Sequence, residues 1–491
     1  MIYGDWIERW ARSFPNREAL VDVAGGKRFT YEELHRDICR MADFLVSRLG
    51  IGRNDRVSIL AHNRREHIVL FFAASRIGAI LVPLNVRSSF PELLACVKDC
   101  SPAVLFHDAE HRDASLELEQ NVPRLLPVSL DGGPSAEPDL LSAWSGLRET
   151  PPVEIDLTPN DPQLILYTSG TTGRPKGAVL THGMITWNAL ITRTGWDLGR
   201  SDRFLLHSSF CYTAGWNVFT LPLLHGLGTI LLLRRFDADL VLEMIERERP
   251  TLFFGVPTVY RMILSADRFE QADLSSIRLA VSGGAPLPRS VLEAFLERKG
   301  LRIREGYGLT EVGPNNFLAD GPPGTVGHPM PHVDVRIVDR RDRDVPQGAE
   351  GELLIRGNHV CSGYWSPERK GSAFTPGDWF RTGDIGRADE RGNVSIVGRK
   401  TDMYISGGVN IHPFEIETAI QELPQVEAAA VIGVKDETWG EAGKAVVELG
   451  PGGELTLDAL RASLAGRLAR FKLPRYLVVV ERLPRAPASG K

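Results

Sequence analysis

The sequence predicts an α/β protein: a large N-terminal part of mostly parallel sheets flanked by helices, a β-barrel-like lobe, and a small C-terminal α+β domain. Three observations predict it. Short apolar runs alternate with helical patterns up to about Leu318, strands then follow one another with little helix between them, and the pattern changes again past Arg399. At 491 residues the chain exceeds what one core usually organises, so it divides as 1–399, with the β-rich lobe at about 320–399, and 400–491.

Taken in order, Thr30-Tyr31-Glu32-Glu33 is a capping-box pattern, and Leu34, Ile38, Ala42 and Leu45 continue at helical spacing to Gly50. A strand at Arg56 to Leu60, a helix around Glu66 to Arg76 and a strand at Ala79 to Pro83 follow. After a Pro- and Gly-rich stretch (Asp131 to Pro162), the runs Thr229 to Leu233, Thr251 to Phe254 and Leu279 to Val281 each precede a helical pattern. Helices between short buried strands indicate largely parallel sheets. Val333 to Val338, Gly351 to Gly357 and Val394 to Val397 read as the strands of the lobe. The last region has a helix opened by Pro413, strands at Ala428 to Val434 and Ala445 to Leu449, a helix from Leu457 and a strand near Tyr476 to Val480.

A formal charge of −5 argues against a nucleic-acid partner, which usually shows as a basic excess. The stretch Ile68 to Val86 is apolar but interrupted by Ser75, Arg76, Gly78 and Pro83, so it reads as a buried helix and strand and not as a membrane span. The N-terminus shows no signal-peptide pattern. Cys39, Cys96, Cys100, Cys211 and Cys361 form no CxxC pair; Cys96 and Cys100 read as thiols sharing a helix face, and a reducing, cytoplasmic location is expected.

The most informative stretch is Tyr167-Thr168-Ser169-Gly170-Thr171-Thr172-Gly173-Arg174-Pro175-Lys176-Gly177, directly after the apolar strand Leu164 to Leu166. Glycines let backbone N–H groups face an anion, hydroxyls add donors, and the lysine adds a mobile positive charge, which suits a polyphosphate. It is not a Walker A loop, because Lys176 follows proline and Gly177 stands where Ser or Thr is required. A β-like run, Ala178 to Leu180, follows in place of a helix. There is no GxSxG, HExxH or GxGxxG after a strand, so a serine hydrolase, zincin or dinucleotide oxidoreductase gains no support.

With this loop stand Ser282-Gly283-Gly284-Ala285-Pro286, Tyr307-Gly308-Leu309-Thr310-Glu311, Arg381-Thr382-Gly383-Asp384, Gly398-Arg399, Ser406-Gly407-Gly408-Val409-Asn410 and the segment Pro484 to Lys491. In this order, and over nearly the whole chain, the sequence resembles the AMP-forming adenylate ligases: acyl- and aryl-CoA synthetases, luciferases and peptide-synthetase adenylation domains. The resemblance implies a carboxylic acid, ATP and CoA as small-molecule partners. ATP would first give an acyl adenylate and pyrophosphate, and acyl transfer to CoA would then release AMP. Delivery to a carrier protein or an amine is the alternative. It also implies that the small domain moves, and it is compatible with a homodimer.

Carried over by resemblance, the ATP site comprises Thr168, Ser169, Gly170, Thr171, Thr172, Gly173 and Lys176 of the loop, with Gly284, Ala285 and Pro286 against the adenine and Tyr307, followed by Gly308, on its other face. Thr310 would donate to the α-phosphate, Glu311 would hold Mg²⁺, which needs hard oxygen ligands, Asp384 would accept the ribose hydroxyls, and Arg399 would approach ribose or phosphate. Lys491 would be the main catalytic group of the first step, because a cation bridging carboxylate and α-phosphate is most useful as two anions meet. Relatives continue past this lysine, so a further tail is expected. Tyr212, Trp216, Gly283 and Leu309 would bound the acyl pocket, although Tyr212 and Trp216 equally suit core packing. Gly407, Gly408, Trp439, Phe471, Lys472 and Arg475 resemble a CoA-binding face, where a ring and cations suit an adenine and its phosphates; packing of Trp439 within the small domain is the alternative. The sequence departs from the family pattern at three places: Thr401 at the hinge, usually Asp or Lys, Cys211-Tyr212 where a Phe-His pair is frequent, and Val409 in place of a frequent Glu.

Overall fold

The computed structural model describes residues 6–132, 139–150, 155–168, 175–366 and 373–484. The N-terminal alternation of runs and helices builds two sheets. One has six strands, in the order Leu126–Ser129, Val104–His107, Arg56–Leu60, Ile80–Pro83, Pro162–Thr168 and Lys176–Thr181, parallel except for the last pair. The other has seven, in the order Ile303–Glu305, Leu279–Ser282, Leu252–Gly255, Arg203–Leu206, Thr229–Leu232, Glu18–Asp22 and Lys27–Thr30, parallel except for the final hairpin.

Parallel strands carry crossover helices on both faces and must therefore be apolar on both. Ile80–Pro83 and Thr229–Leu232 are accordingly buried along their whole length. Helix Arg65–Arg76 is buried from His67 to Ser75 and lies in a core shared by both sheets. This accounts for the long apolar stretch around it; among the described residues no helix is long and apolar enough to cross a membrane. The capping box at Thr30 is formed, with Glu33 N donating to Thr30 Oγ1 at 3.2 Å and Thr30 N to Glu33 Oε2 at 2.8 Å. Its helix runs Tyr31–Asp43 and widens into a π-turn, Phe44–Arg48, before Gly50.

The β-rich lobe is a four-stranded antiparallel sheet in the order Asp334–Val338, Glu350–Arg356, Phe380–Ala388 and Val394–Arg399. Phe380–Ala388 was not anticipated: two glycines, two arginines and an aspartate mask its period, and it bulges at Ile385/Gly386. Beyond it, strands Tyr404–Ser406, Val409–Ile411, Val426–Asp436, Gly440–Leu449 and Tyr476–Val480 form one sheet. Helices Pro413–Gln421 and Leu457–Leu464 close a hydrophobic cluster against it, built from Ile416, Ile420, Val431, Ala445, Val447 and Leu460. All five cysteines are free; Cys96 and Cys100 share helix Phe90–Cys100, where burial pushes both thiols up to about 12 and leaves them as packing groups.

Candidate active site

Two of the predicted motifs sit on loops at the C-terminal ends of parallel strands, where open α/β sheets place their ligand crevices. Strands Leu279–Ser282 and Ile303–Glu305 are parallel neighbours, with Ser282 in register with Glu305 and Gly306 N donating to Ser282 O at 2.8 Å. Their loops, Gly283 to Pro286 and Gly306 to Glu311, therefore leave side by side. Gly284 turns in the left-handed region at φ 83°, and Ala285 beside it is exposed. Gly308 has no room for a side chain: a Cβ there would lie 2.3 Å from Gly313 O.

The Tyr307 loop is folded on itself and anchored from below. Leu309 N donates to Gly313 O (3.2 Å), Asn316 N to Tyr307 O (3.1 Å), and Asn316 Nδ2 to Gly313 O (2.8 Å). Buried Asn315 donates to Thr192 Oγ1 and to Val218 O. His359 Nε2 lies 2.9 Å from the amide oxygen of Asn316, which only accepts, so this nitrogen carries the proton. Burial holds His359 down to about 4, which keeps it neutral near pH 7. Asn315, Asn316 and His359 had drawn no attention in the sequence, because buried amides carry no periodic signal.

From this loop a chain of contacts runs in two directions. Tyr307 donates its hydroxyl to Asp384 Oδ2 at 2.6 Å, and Arg399 Nε donates to Asp384 Oδ1 at 3.1 Å, the latter pair standing opposite one another in the lobe's sheet. Asp384 is thus a buried, oriented carboxylate next to the Tyr307 ring. In the other direction, Tyr364 donates to Glu311 Oε1 at 2.8 Å, and the ammonium of Lys176 lies 5.6 Å from the centroid of the Tyr364 ring. Tyr364 had not been singled out either. Its segment runs alongside Lys176–Thr181, with Val179 N donating to Gly363 O (2.9 Å) and Trp365 N to Gly177 O (2.8 Å). Thr168, at the other end of the phosphate loop, is half-buried and donates to Lys176 O at 3.4 Å. Ser169, Gly170, Thr171, Thr172, Gly173 and Lys491 lie outside the described residues.

Of the acyl-wall candidates, Gly283 and Leu309 sit on the two neighbouring loops, Gly283 packed 3.2 Å (from the place of a Cβ) against Phe254. Tyr212 is half-buried beyond strand Arg203–Leu206, and its phenol oxygen accepts from Asn85 Nδ2 at 3.0 Å. For Trp216 the packing favours the second of its two readings, core packing over pocket wall. It is 0% exposed, stacks on Phe71 (5.0 Å), meets the tilted ring of Phe210 (4.4 Å), and donates its indole N–H to Phe210 O at 2.6 Å. With two ring contacts, its donor committed and no exposed surface, it packs as a core residue.

The C-terminal candidates are arranged differently. Trp439 is 51% exposed, its ring edge covering Gly407, where a Cβ would lie 2.8 Å from Cε3. Gly408 and Phe471 are exposed, Lys472 is paired with Glu415, and Arg475 approaches Asp436 at 3.4 Å. Thr401 is exposed in the turn after Val394–Arg399 and donates to Asp402 Oδ1 at 2.9 Å.

The profile of the AMP-binding enzyme family matches residues 7–365, and that of the AMP-binding enzyme C-terminal domain matches residues 415–491. The chain is 39% identical to a feruloyl-CoA synthase of Amycolatopsis sp, over 99% of this chain and 96% of that protein. It is 35% identical to an indoleacetate–CoA ligase of Aromatoleum aromaticum, over 100% and 96%. Its fold superimposes on the anthranilate CoA ligase AuaEII, solved with anthranoyl-AMP, with a TM-score of 0.91 at 26% identity, over 100% and 96% of the two chains. The chain belongs to the AMP-binding enzyme family, as an AMP-forming acid–thiol ligase.

Proposed function

We propose that the protein activates an aromatic carboxylic acid with ATP and transfers the acyl group to CoA. The observation that carries the nucleotide half is the continuous set of contacts from Lys176 through Tyr364 to Glu311, and from Tyr307 to Asp384 and Arg399. It brings together a cation, two tyrosine rings, and two carboxylates each held by a hydroxyl donor. The aromatic acid is suggested by the similarity to proteins named for ferulate and indoleacetate.

In the first step a carboxylate oxygen of the acid attacks the α-phosphorus, the bond to the β-phosphate oxygen breaks, and pyrophosphate leaves. The loop Thr168 to Lys176 would cradle the phosphates, Gly284 to Pro286 and Tyr307 would sandwich the adenine, Gly308 would let the backbone approach, and Asp384 and Arg399 would take the ribose side. Thr310 would donate to the α-phosphate, and Lys491 would bridge it to the incoming carboxylate. Among the described residues no group of three His, Cys, Asp or Glu side chains could hold a metal. Mg²⁺ fits nonetheless, because it is commonly held by one or two carboxylates plus substrate phosphates, and Glu311 supplies one. When bound it would neutralise phosphate charge.

In the second step the CoA thiol attacks the mixed anhydride's carbonyl and AMP departs. Gly283, Leu309 and Tyr212 would bound the acyl group, while Gly407, Gly408, Trp439, Phe471, Lys472 and Arg475 would receive CoA. We divide the chain at 399/400, with Thr401 as hinge, because the residues beyond pack a core of their own. The test is AMP release with CoA over a panel of acids: kcat/KM should be higher for hydroxycinnamic and indole-type acids than for medium- or long-chain fatty acids. A preference for straight chains would refute the substrate class.

A further inference from the structure

Tyr364 lies where the strand leaving the phosphate loop meets the loop that carries Glu311. Its backbone is fixed from both: Cys361 N donates to Glu311 O at 2.7 Å, and Ser362, Gly363 and Trp365 bond to Gly177 and Val179. Its hydroxyl donates to Glu311 Oε1 at 2.8 Å. Among the described residues no hydrogen bond or ion pair engages the second carboxylate oxygen. An ionised carboxylate oxygen only accepts, so the phenol is the donor of this pair.

We infer that Tyr364 is a positioning residue: it fixes one oxygen of Glu311 so that the other faces the divalent cation carried by the nucleotide, and its ring seats Lys176 on the same side. This rests on the reading of Glu311 as that cation's protein ligand. A cation held by few protein groups depends strongly on how the available carboxylate is oriented, and an outer partner that orients a ligand typically accounts for 10- to 100-fold in metal affinity. The same ring links the two elements. Lys176 sits 5.6 Å from its centroid, within range of a cation–π contact.

The experiment measures Mn²⁺ binding by electron paramagnetic resonance to the full chain saturated with α,β-methylene-ATP, whose methylene bridge blocks loss of the leaving group, so that it cannot adenylate an acid. The variants are Tyr364→Phe, Glu311→Gln and the double variant, with metal-free AMP affinity as the control. Tyr364→Phe should weaken Mn²⁺ binding about tenfold or more and leave AMP affinity unchanged. Glu311→Gln should weaken it at least as much, and the double variant should be no weaker than Glu311→Gln. Wild-type Mn²⁺ affinity in Tyr364→Phe beside a weakened Glu311→Gln would overturn the inference and leave the reading of Glu311 standing. Wild-type affinity in Glu311→Gln would overturn that reading and the inference with it. Loss of AMP binding in Tyr364→Phe, or a full additional loss in the double variant, would show that Tyr364 acts by packing and would also overturn it.

Discussion

The large N-terminal part, its parallel sheets and β-rich lobe together, and the C-terminal sheet hold their candidate functional groups in opposite ways. In the former, Tyr307, Asp384, Glu311 and Tyr364 are tied to one another and rest on buried Asn315, Asn316 and His359. In the latter, Trp439 and Phe471 stand half exposed, together with Ile405, Ile432 and Val479. A pre-oriented constellation suits a step in which charge must be met without reorganisation. Exposed rings suit a surface that acts only once a ligand or another face of the protein covers it.

Two tryptophans put this contrast to the test most strongly. Trp216→Ala should cost about 3–5 kcal/mol of stability, the range for a large aromatic removed from a core, read as a lowered denaturation midpoint. Trp439→Ala should stay within about 0.5 kcal/mol of wild type and raise the KM for CoA, with adenylate formation unchanged. Similar stability losses in both would erase the distinction. Next in size, Lys491→Ala should slow adenylation by roughly 10²–10³, the usual cost of one preorganised electrostatic group, and leave thioester formation from a supplied acyl adenylate near wild type. Single-turnover kinetics on each half-reaction separates these, and equal losses in both would remove Lys491 from its proposed role. Smallest is Gly308→Ala, where a Cβ would meet Gly313 O at 2.3 Å. Overpacking of this kind costs about 1–3 kcal/mol. It should appear as a lowered melting temperature with weaker ATP binding, whereas unchanged ATP affinity would show that the Tyr307 loop tolerates movement.

The parallel strands were legible because burial on both faces forces continuous apolar runs, as in Thr229–Leu232 and Leu279–Ser282. The capping box at Thr30 was legible because its two hydrogen bonds depend only on local spacing. Phe380–Ala388 was not, since the residues that would show its period are glycines and charges. Tyr364 was hidden for another reason: its contacts are with Glu311 and Lys176, both remote in sequence. Trp216 shows a different limit: an aromatic near a predicted pocket suits a wall and core packing equally in the sequence, and its burial against Phe71 and Phe210 favours the core.

The most direct test of the account is to mix enzyme, ATP, Mg²⁺ and an aromatic acid without CoA, quench within one turnover, and identify the products. The account predicts acyl adenylate and pyrophosphate in equal amounts, with AMP released only when CoA is added. ADP as the nucleotide product, or pyrophosphate with no acyl adenylate, would contradict it.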